Sequence, residues 1–257
     1  MIRPYILAET NWKALKYERF EVAVLPWGAT EAHNFHLPYG TDIIEAEELA
    51  ASAAAYAWDR GGKVIVLPAI PFGVNTGQSD IYLDINMNPS TQLAILDDIA
   101  ATLSRQGLRK LVLFNSHGGN NFEALIRELG LRYPEMFICL TNWFKAIDRK
   151  AMGIAPGDHA DEVETSLLLH LRPHLVLPKS EWGSGKAKKF KIKAFQEPWA
   201  WSERHWSKVT EDTGVGDPAA ASAEKGSQLI EILRTSIGNF FLDLCGANLE
   251  DMYTDED

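Results

Sequence analysis

Acidic residues and histidines cluster directly after one apolar segment near the start of the chain. The apolar run 22–25 ends at Pro26 and Gly28, which predicts a buried strand that leads into a turn. Two carboxylates and two imidazoles follow, at Glu31, His33, His36 and Asp42. Such groups bind zinc, iron and manganese, and residues two apart in an extended segment point the same way. The spacing of Glu31 and His33 therefore predicts two side chains directed into one metal site.

A histidine also follows a second apolar run, 111–114. His117 is succeeded by the pair Gly118-Gly119 and then by a helix-like segment. Open α/β sheets bind ligands at this strand-to-helix edge, and glycines let the backbone approach a ligand closely. The position predicts that His117 belongs to a ligand site. The alternative is an ordinary turn histidine.

A third motif lies in a predicted helix over 160–171, whose apolar residues recur with a helical period. Glu164 lies beside this apolar face, where an unpaired carboxylate would be costly to bury, so a metal would explain it. His159 stands at the helix start. The acidic residues of the first turn are interpreted as favourable to the helix N-terminus, namely Asp158, Asp161 and Glu162.

These motifs resemble those of the creatininase (creatinine amidohydrolase) family. The matching segments are G-A-T-E-A-H with L-P-Y-G-T-D, N-S-H-G-G-N, H-A-D-E-V-E-T-S-L-L-L-H-L-R-P, and G-D-P-A-A-A-S-A-E-K-G before the last helix. The resemblance implies two divalent ions per chain, with zinc preferred and manganese or iron as alternatives. Glu31 and His117 would bind one ion, His33 the other, and Asp42 would bridge both.

One departure concerns the second ion. Creatininase supplies a glutamate two residues after the histidine of the N-x-H motif, where this chain has Gly119. We expect Glu164 to replace that ligand. The resemblance further implies hydrolysis by a metal-activated hydroxide, with His159 and Glu164 as the catalytic side chains and His159 transferring the proton.

The predicted substrate pocket also differs from that of creatininase. Gly118 replaces an aromatic residue and Ala155 replaces a tryptophan, whereas Trp143 and Thr76 stand where creatininase has pocket residues. We predict that Thr76, Gly118 and Trp143 contact a small amide or cyclic carbonyl compound other than creatinine. Trp143 could instead be a core aromatic. The alternative function is a non-catalytic binding or assembly protein on a degenerate creatininase scaffold.

Apolar strands alternate with amphipathic helices along the chain. The predicted strands cover 22–28, 63–70, 110–116 and 136–142, and the predicted helices cover 43–58, 89–105 (with Asn88 as N-cap), 121–131 and 160–171. This pattern predicts an α/β fold, a three-layer α/β/α sandwich with a mainly parallel sheet. We expect 1–257 to form one creatininase-like domain.

The segment 178–215 interrupts this alternation and is predicted to be an insert near the site entrance. Its lysines alternate with Phe190 and Ile192, which predicts an exposed edge strand. The family forms hexamers, so the resemblance implies a homo-oligomer. The tryptophans of the insert could supply a subunit contact, or they could pack on their own domain or line the entrance.

Charge and hydropathy restrict the partners. The formal net charge of −10 argues against nucleic acid, because phosphate binding needs a basic face. No apolar run approaches membrane-spanning length, and the N-terminus lacks the apolar core of a signal peptide. We therefore expect a cytoplasmic enzyme that acts on a small molecule and does not bind membranes.

Overall fold

The centre of the computed structural model is a four-stranded parallel sheet. The structure describes residues 2–197 and 199–255, so Pro198 of the predicted insert lies outside the described residues. The strands are β1 (Val22–Trp27), β2 (Val64–Val66), β3 (Lys110–Asn115) and β4 (Phe137–Asn142), in the order β2-β1-β3-β4. In the register, Ala23 of β1 lies between Ile65 and Leu111.

Helices cover both faces of this sheet, as the alternation of apolar segments predicts. They are α1 (Thr41–Trp58), α2 (Pro89–Arg105), α3 (Glu123–Arg132), α4 (Glu162–Leu171) and α5 (Ala223–Gly246). The predicted α/β/α architecture is therefore confirmed. Asn88 occupies the N-cap position of α2, but its side chain makes no capping hydrogen bond.

The alternation of side chains along β1 produces two separate cores. Val22 and Val24 pack with apolar residues of α1, α4 and α5, whereas Ala23 and Leu25 pack with those of α2 and α3. Successive residues of a strand point to opposite faces, so a strand buried on both sides is apolar throughout. The continuous apolar run of β1 is thereby explained.

The predicted strand 63–70 is shorter in the structure. The ladder stops at Val66, although Leu67 and Ile70 still donate backbone hydrogen bonds to Val24 and Pro26. Pro68 between them has no amide hydrogen to donate, which interrupts the regular pairing.

The turn after β1 fits closely against the first turn of α1. A Cβ atom on Gly28 would lie 2.7 Å from the backbone nitrogen of Ile43 and 2.8 Å from the carbonyl carbon of Asp42. Only glycine permits this approach. The contact brings Asp42 back towards the loop that carries Glu31 and His33.

The predicted edge strand in the lysine-rich segment is wrong. Residues 186–193 form no strand, and the only ladder contact described for them is an isolated bridge from Ala187 to Thr210. The surrounding segment contains single helical turns, including the short helix Trp206–Val209. Within residues 2–197 and 199–255, no helix combines the length and apolarity needed to cross a membrane.

Candidate metal centre

The candidate site lies where the chain connections diverge at the carboxyl edge of the sheet. The crossover from β1 to β2 runs through α1 on one face, whereas α2 and α3 lead into and out of β3 on the other face. Loops that leave adjacent strands towards opposite faces open a crevice where ligands bind in α/β folds. Glu31, His33 and Asp42 follow β1 into this crevice, and His117 follows β3.

Glu31, Asp42 and His117 form one group of potential ligands, with ligand atoms within 4.8 Å of one another. The Nδ1 atom of His117 lies 2.9 Å from Oε1 of Glu31 and 3.1 Å from Oδ2 of Asp42. All three side chains are buried. The sequence motifs thus converge in space despite their separation along the chain.

A second group combines His33, Asp42 and Glu164 within the same spacing. The Nε2 atom of His33 lies 3.0 Å from Oδ1 of Asp42, so the two Asp42 oxygens face different histidines. Glu164 accepts a hydrogen bond from the backbone amide of Ala160. Glu31, His33 and His159 form a third group, in which the His33 and His159 rings stand 4.1 Å apart.

Each of these histidines is oriented by a backbone carbonyl. His33 Nδ1 lies 3.0 Å from the oxygen of Glu31, His117 Nε2 lies 3.0 Å from that of Val74, and His159 Nε2 lies 2.9 Å from that of Ala32. A ring nitrogen that donates to a carbonyl leaves its partner nitrogen free to bind a cation. The other three ring nitrogens all face carboxylates of the cluster.

Attraction between the facing imidazoles and carboxylates shifts the pKa values of His33, His117, Asp42 and Glu31. Burial lowers the pKa of His33 and His117, but the facing carboxylates outweigh it and raise both pKa values well above the usual range. Burial would raise the pKa of Asp42 and Glu31, yet the imidazoles opposite lower both. The carboxylates are therefore held as anions, the form that binds cations.

For the carboxylates that lie farther from the imidazoles, burial outweighs the nearby positive charge and raises the pKa. It raises the pKa of Glu164 to about 8, with only partial relief from His33. It also raises the pKa of Glu45 well above its usual range, an effect that Glu164 and Asp42 reinforce. For His159, burial and the neighbouring His33 lower the pKa, so that its imidazole is neutral near pH 7.

Glu45 is a member of this region that the sequence analysis did not identify. Its side chain is fully buried, accepts a 3.3 Å hydrogen bond from Ser116, and has a second oxygen without a hydrogen-bond partner among the described residues. Glu45 follows Asp42 by three residues, which places both on one face of α1. This three-residue spacing within a helix is the sequence signal by which Glu45 could have been found.

An asparagine network fixes the loop that carries His117. Asn115 donates a 2.8 Å hydrogen bond to the carbonyl of His117, and Asn120 donates a 2.9 Å bond to Asn115. A Cβ atom on Gly119 would lie 2.4 Å from both His117 Nε2 and the Val74 oxygen. A glutamate at this position would therefore displace the hydrogen bond that orients His117, and this gives the Gly119 departure a structural reason.

The peptide at Ala32 is held from both sides. Its amide donates a 2.7 Å hydrogen bond to Asp84, and its carbonyl is the partner of His159. Burial raises the pKa of Asp84 to about 7. Gln78 meanwhile donates to the Oε2 atom of Glu31. Asp84 and Gln78 come from an irregular loop without periodicity, so no sequence signal marked them.

The predicted substrate residues lie in different environments. Gly118 is exposed next to His117, and exposed Thr76 donates a hydrogen bond to Glu203. Trp143 is 1% exposed and donates a 2.8 Å hydrogen bond to Ser116, so it is a core residue at the end of β4. The substrate contacts of all three remain predictions.

Segment 178–215 contributes aromatic rings beside the cluster. The ring of Trp206 lies 4.7 Å from that of His159 in an edge-on arrangement. The ring of Trp182 stacks on buried His36 at the same distance. Burial lowers the pKa of His36 to about 4, and its Nε2 atom lies 2.9 Å from the Thr165 hydroxyl, so His36 is a neutral neighbour of the cluster.

The chain is similar to known proteins over most of its length. The family model "Creatininase", described as creatinine amidohydrolase, matches residues 8–241. The mycofactocin precursor peptide peptidase of Mycobacterium tuberculosis is 30% identical over 218 residues, which cover 80% of this chain and 78% of that protein. The creatinine amidohydrolase of Pseudomonas putida is 27% identical over 202 residues, 68% and 75% of the two chains.

Solved structures show the same fold. A crystal structure from Bacteroides fragilis, provisionally named creatinine amidohydrolase, has a TM-score of 0.91 at 40% identity and covers 97% of this chain and 99% of its own. A manganese form of creatininase has a TM-score of 0.78 at 20% identity, covering 95% and 99%. A Zn-Zn form of a creatininase mutant gives the same values. At 20% identity, the likeness to these two creatininase structures shows a shared fold.

Proposed function

The chain belongs to the creatininase family of metal-dependent amidohydrolases, and from that premise we propose that it hydrolyses an amide or peptide bond in a substrate other than creatinine. The observation that carries the proposal is the convergence of Glu31, Asp42 and His117 with His33 and Glu164 at the carboxyl edge of the sheet. Two overlapping ligand groups that share Asp42 suit two adjacent divalent ions.

The residues fit such ions chemically. Asp42 Oδ2 is buried without a properly aligned hydrogen-bond donor among the described residues, although His117 lies 3.1 Å away. We propose that Glu31, Asp42 and His117 hold one ion and that His33, Asp42 and Glu164 hold the other. Imidazole and carboxylate ligands suit zinc first, with manganese and iron as alternatives.

When bound, two divalent ions polarise a carbonyl group and lower the pKa of a coordinated water molecule. The chain itself supplies the proton path. A neutral His159 can accept at Nδ1 the proton that the attacking water loses; this atom lies 3.7 Å from Glu31, while Nε2 stays anchored on Ala32. A histidine of lowered pKa gives that proton up readily to a leaving nitrogen. The Trp206 ring packs edge-on against His159.

A peptide-like substrate is supported by the relatives and by the pocket residues. A protein named as a peptide peptidase is 30% identical to this chain. Gly118 adds no side chain to the rim, and a Cβ atom there would meet open space. Creatininase has an aromatic side chain at this position, and its absence here leaves room for a group larger than a small planar ring.

Metal analysis combined with a substrate comparison tests the proposal. We expect about two ions per purified chain and hydrolysis of acylated dipeptides that a chelator abolishes and zinc or manganese restores. Creatinine turnover should be at least about 100-fold slower. A metal-free protein that hydrolyses neither compound would contradict the proposal and favour the binding or assembly alternative.

We further propose that the protein forms a homo-oligomer, a hexamer as in its family. Trp199 and Trp201 of segment 178–215 are 74% and 84% exposed, and large aromatics are enriched at the centres of protein interfaces. Light scattering at micromolar concentration should give several times the chain mass of 28.7 kDa. A monomer would reject this part of the proposal.

A further inference from the structure

A cavity of about 960 Å³ lies within the segment that interrupts the α/β alternation, apart from the candidate metal ligands. We call it the insert cavity. Its walls come from residues within 185–196 and 200–216 and from Pro156. It lies at the upper end of the size range of small-molecule pockets, which suits a ligand of several residues better than a small ring.

The walls of the insert cavity are built from specific contacts. Lys188 donates a 2.8 Å backbone hydrogen bond to Val209, next to the bridge between Ala187 and Thr210. The rings of Phe190 and Phe195 pack 5.2 Å apart. The cavity is therefore a formed feature of the fold.

Cationic side chains outnumber carboxylates in the lining. It includes one carboxylate, Glu203, which accepts a hydrogen bond from Thr76, and five cationic side chains, Lys188, Lys189, Lys191, Arg204 and Lys208. Arg204 pairs with Asp158, but no ion pair to the four lysines exists within residues 2–197 and 199–255. In a chain of net charge −10, such a local excess of positive charge attracts anions selectively.

The edge-strand explanation for Lys188, Lys189 and Lys191 is wrong, as the fold shows. The same wall reaches the candidate site. Val215 lines the cavity and exchanges backbone hydrogen bonds of 2.8 and 3.1 Å with His159. The Arg204 guanidinium lies 4.9 Å from the Trp206 ring, which contacts His159.

We propose that the insert cavity binds an acidic segment of a peptide substrate, whose scissile bond reaches the metal cluster. This inference rests on the proposed amide or peptide hydrolysis and names the substrate class. The lysines bind the carboxylates of the peptide, and the rings of Phe190 and Phe195 contact its apolar atoms. Charge complementarity then selects acidic peptides over neutral ones.

A binding assay with fluorescein-labelled hexaglutamate and hexaglutamine tests the cavity separately from the chemistry. The metal-loaded full chain should bind hexaglutamate, bind hexaglutamine at least about tenfold more weakly, and lose affinity with added salt. The double variant K189Q/K191Q should weaken hexaglutamate binding about tenfold. The matched variant K13Q/K16Q removes two exposed lysines elsewhere and should change it less than about twofold.

The Asp42→Ala chain should bind hexaglutamate like the unmodified chain, because the cavity does not include the metal ligands. Absent binding, equal binding of hexaglutamine, or equal loss in both lysine variants would overturn the inference. If the peptide fails to bind but chelator-sensitive hydrolysis is present, the proposed function stands and the cavity proposal falls. If hexaglutamate binds while hydrolysis is absent, the insert cavity remains a site for acidic peptides and the proposed function falls.

Discussion

The metal cluster and segment 178–215 lie side by side and are built in opposite ways. In the cluster, Glu31, His33 and Asp42 are at most 1% exposed, and each side chain constrains another. In the segment, Trp201 is 84% exposed, and isolated bridges and single turns hold the chain. Buried side chains that fix one another suit a site that must hold ions, whereas an exposed and loosely held segment suits contact with a ligand or a partner.

The variant with the largest expected effect on the cluster removes Asp42, the side chain shared by the two proposed ion sites. Asp42→Ala should reduce the metal content from about two ions per chain to nearly none and reduce hydrolysis by at least about 10³-fold, because the two groups proposed to hold the ions both contain Asp42. Metal analysis and steady-state kinetics measure this. The control Asp98→Ala changes an exposed residue of α2 and should alter neither quantity. Full metal retention in Asp42→Ala would exclude the bridging role.

Glu164→Gln should remove one ion and leave the other. The pKa of Glu164 is raised to about 8, so it must release a proton before it binds a cation, and affinity at this site should increase with pH up to about 8. Zinc titration against a competing chelator should show about 10- to 100-fold weaker binding of one ion and a smaller pH dependence, because only His33 of that group must then lose a proton. Glu162→Gln, which affects the pair with Lys225, serves as control and should keep both ions.

The glycine pair offers a matched test of how tightly the cluster is packed. Gly119→Ala should destabilise the protein by about 1–3 kcal/mol and weaken the ion held by His117, because the new Cβ atom would meet His117 and Val74. Gly118→Ala should have no such effect, since nothing lies within 4 Å of its Cβ position. Urea denaturation measures both. Gly119→Glu should lower metal content too, although it restores the residue found in creatininase.

The smallest effect should come from the exposed tryptophans. The double variant W199S/W201S should change the free energy of unfolding of the isolated subunit by less than about 0.5 kcal/mol per site and should leave metal content unchanged. The solution mass should decrease if these rings form a subunit contact. A large loss of metal would show that the two regions are coupled more closely than their contacts indicate.

Sequence motifs located the cluster because its residues follow apolar strands or interrupt an apolar helix face. Asp161 also caps α4 as expected, accepting from the amides of Val163 and Glu164. The strand prediction for the lysine-rich segment was wrong, because alternation with Phe190 and Ile192 satisfies only the period of a strand. A strand also needs a partner, and only Ala187 finds one among the described residues of that segment, in Thr210. Asp84 and Gln78 contact the Glu31 loop from an irregular segment. The shape of that segment depends on contacts between residues distant in sequence, so no local pattern predicts these two residues.

The parallel pairing of β1 with β3 also has a kinetic consequence. Glu31, His33 and Asp42 are neighbours in the chain, whereas His117 and Glu164 join them only after β3 has paired with β1 and α4 has packed. An unfolded chain therefore presents an incomplete ligand set, and an ion stabilises the assembled state selectively. Since long-range pairing forms slowly, bound ions should slow unfolding while leaving the refolding rate nearly unchanged.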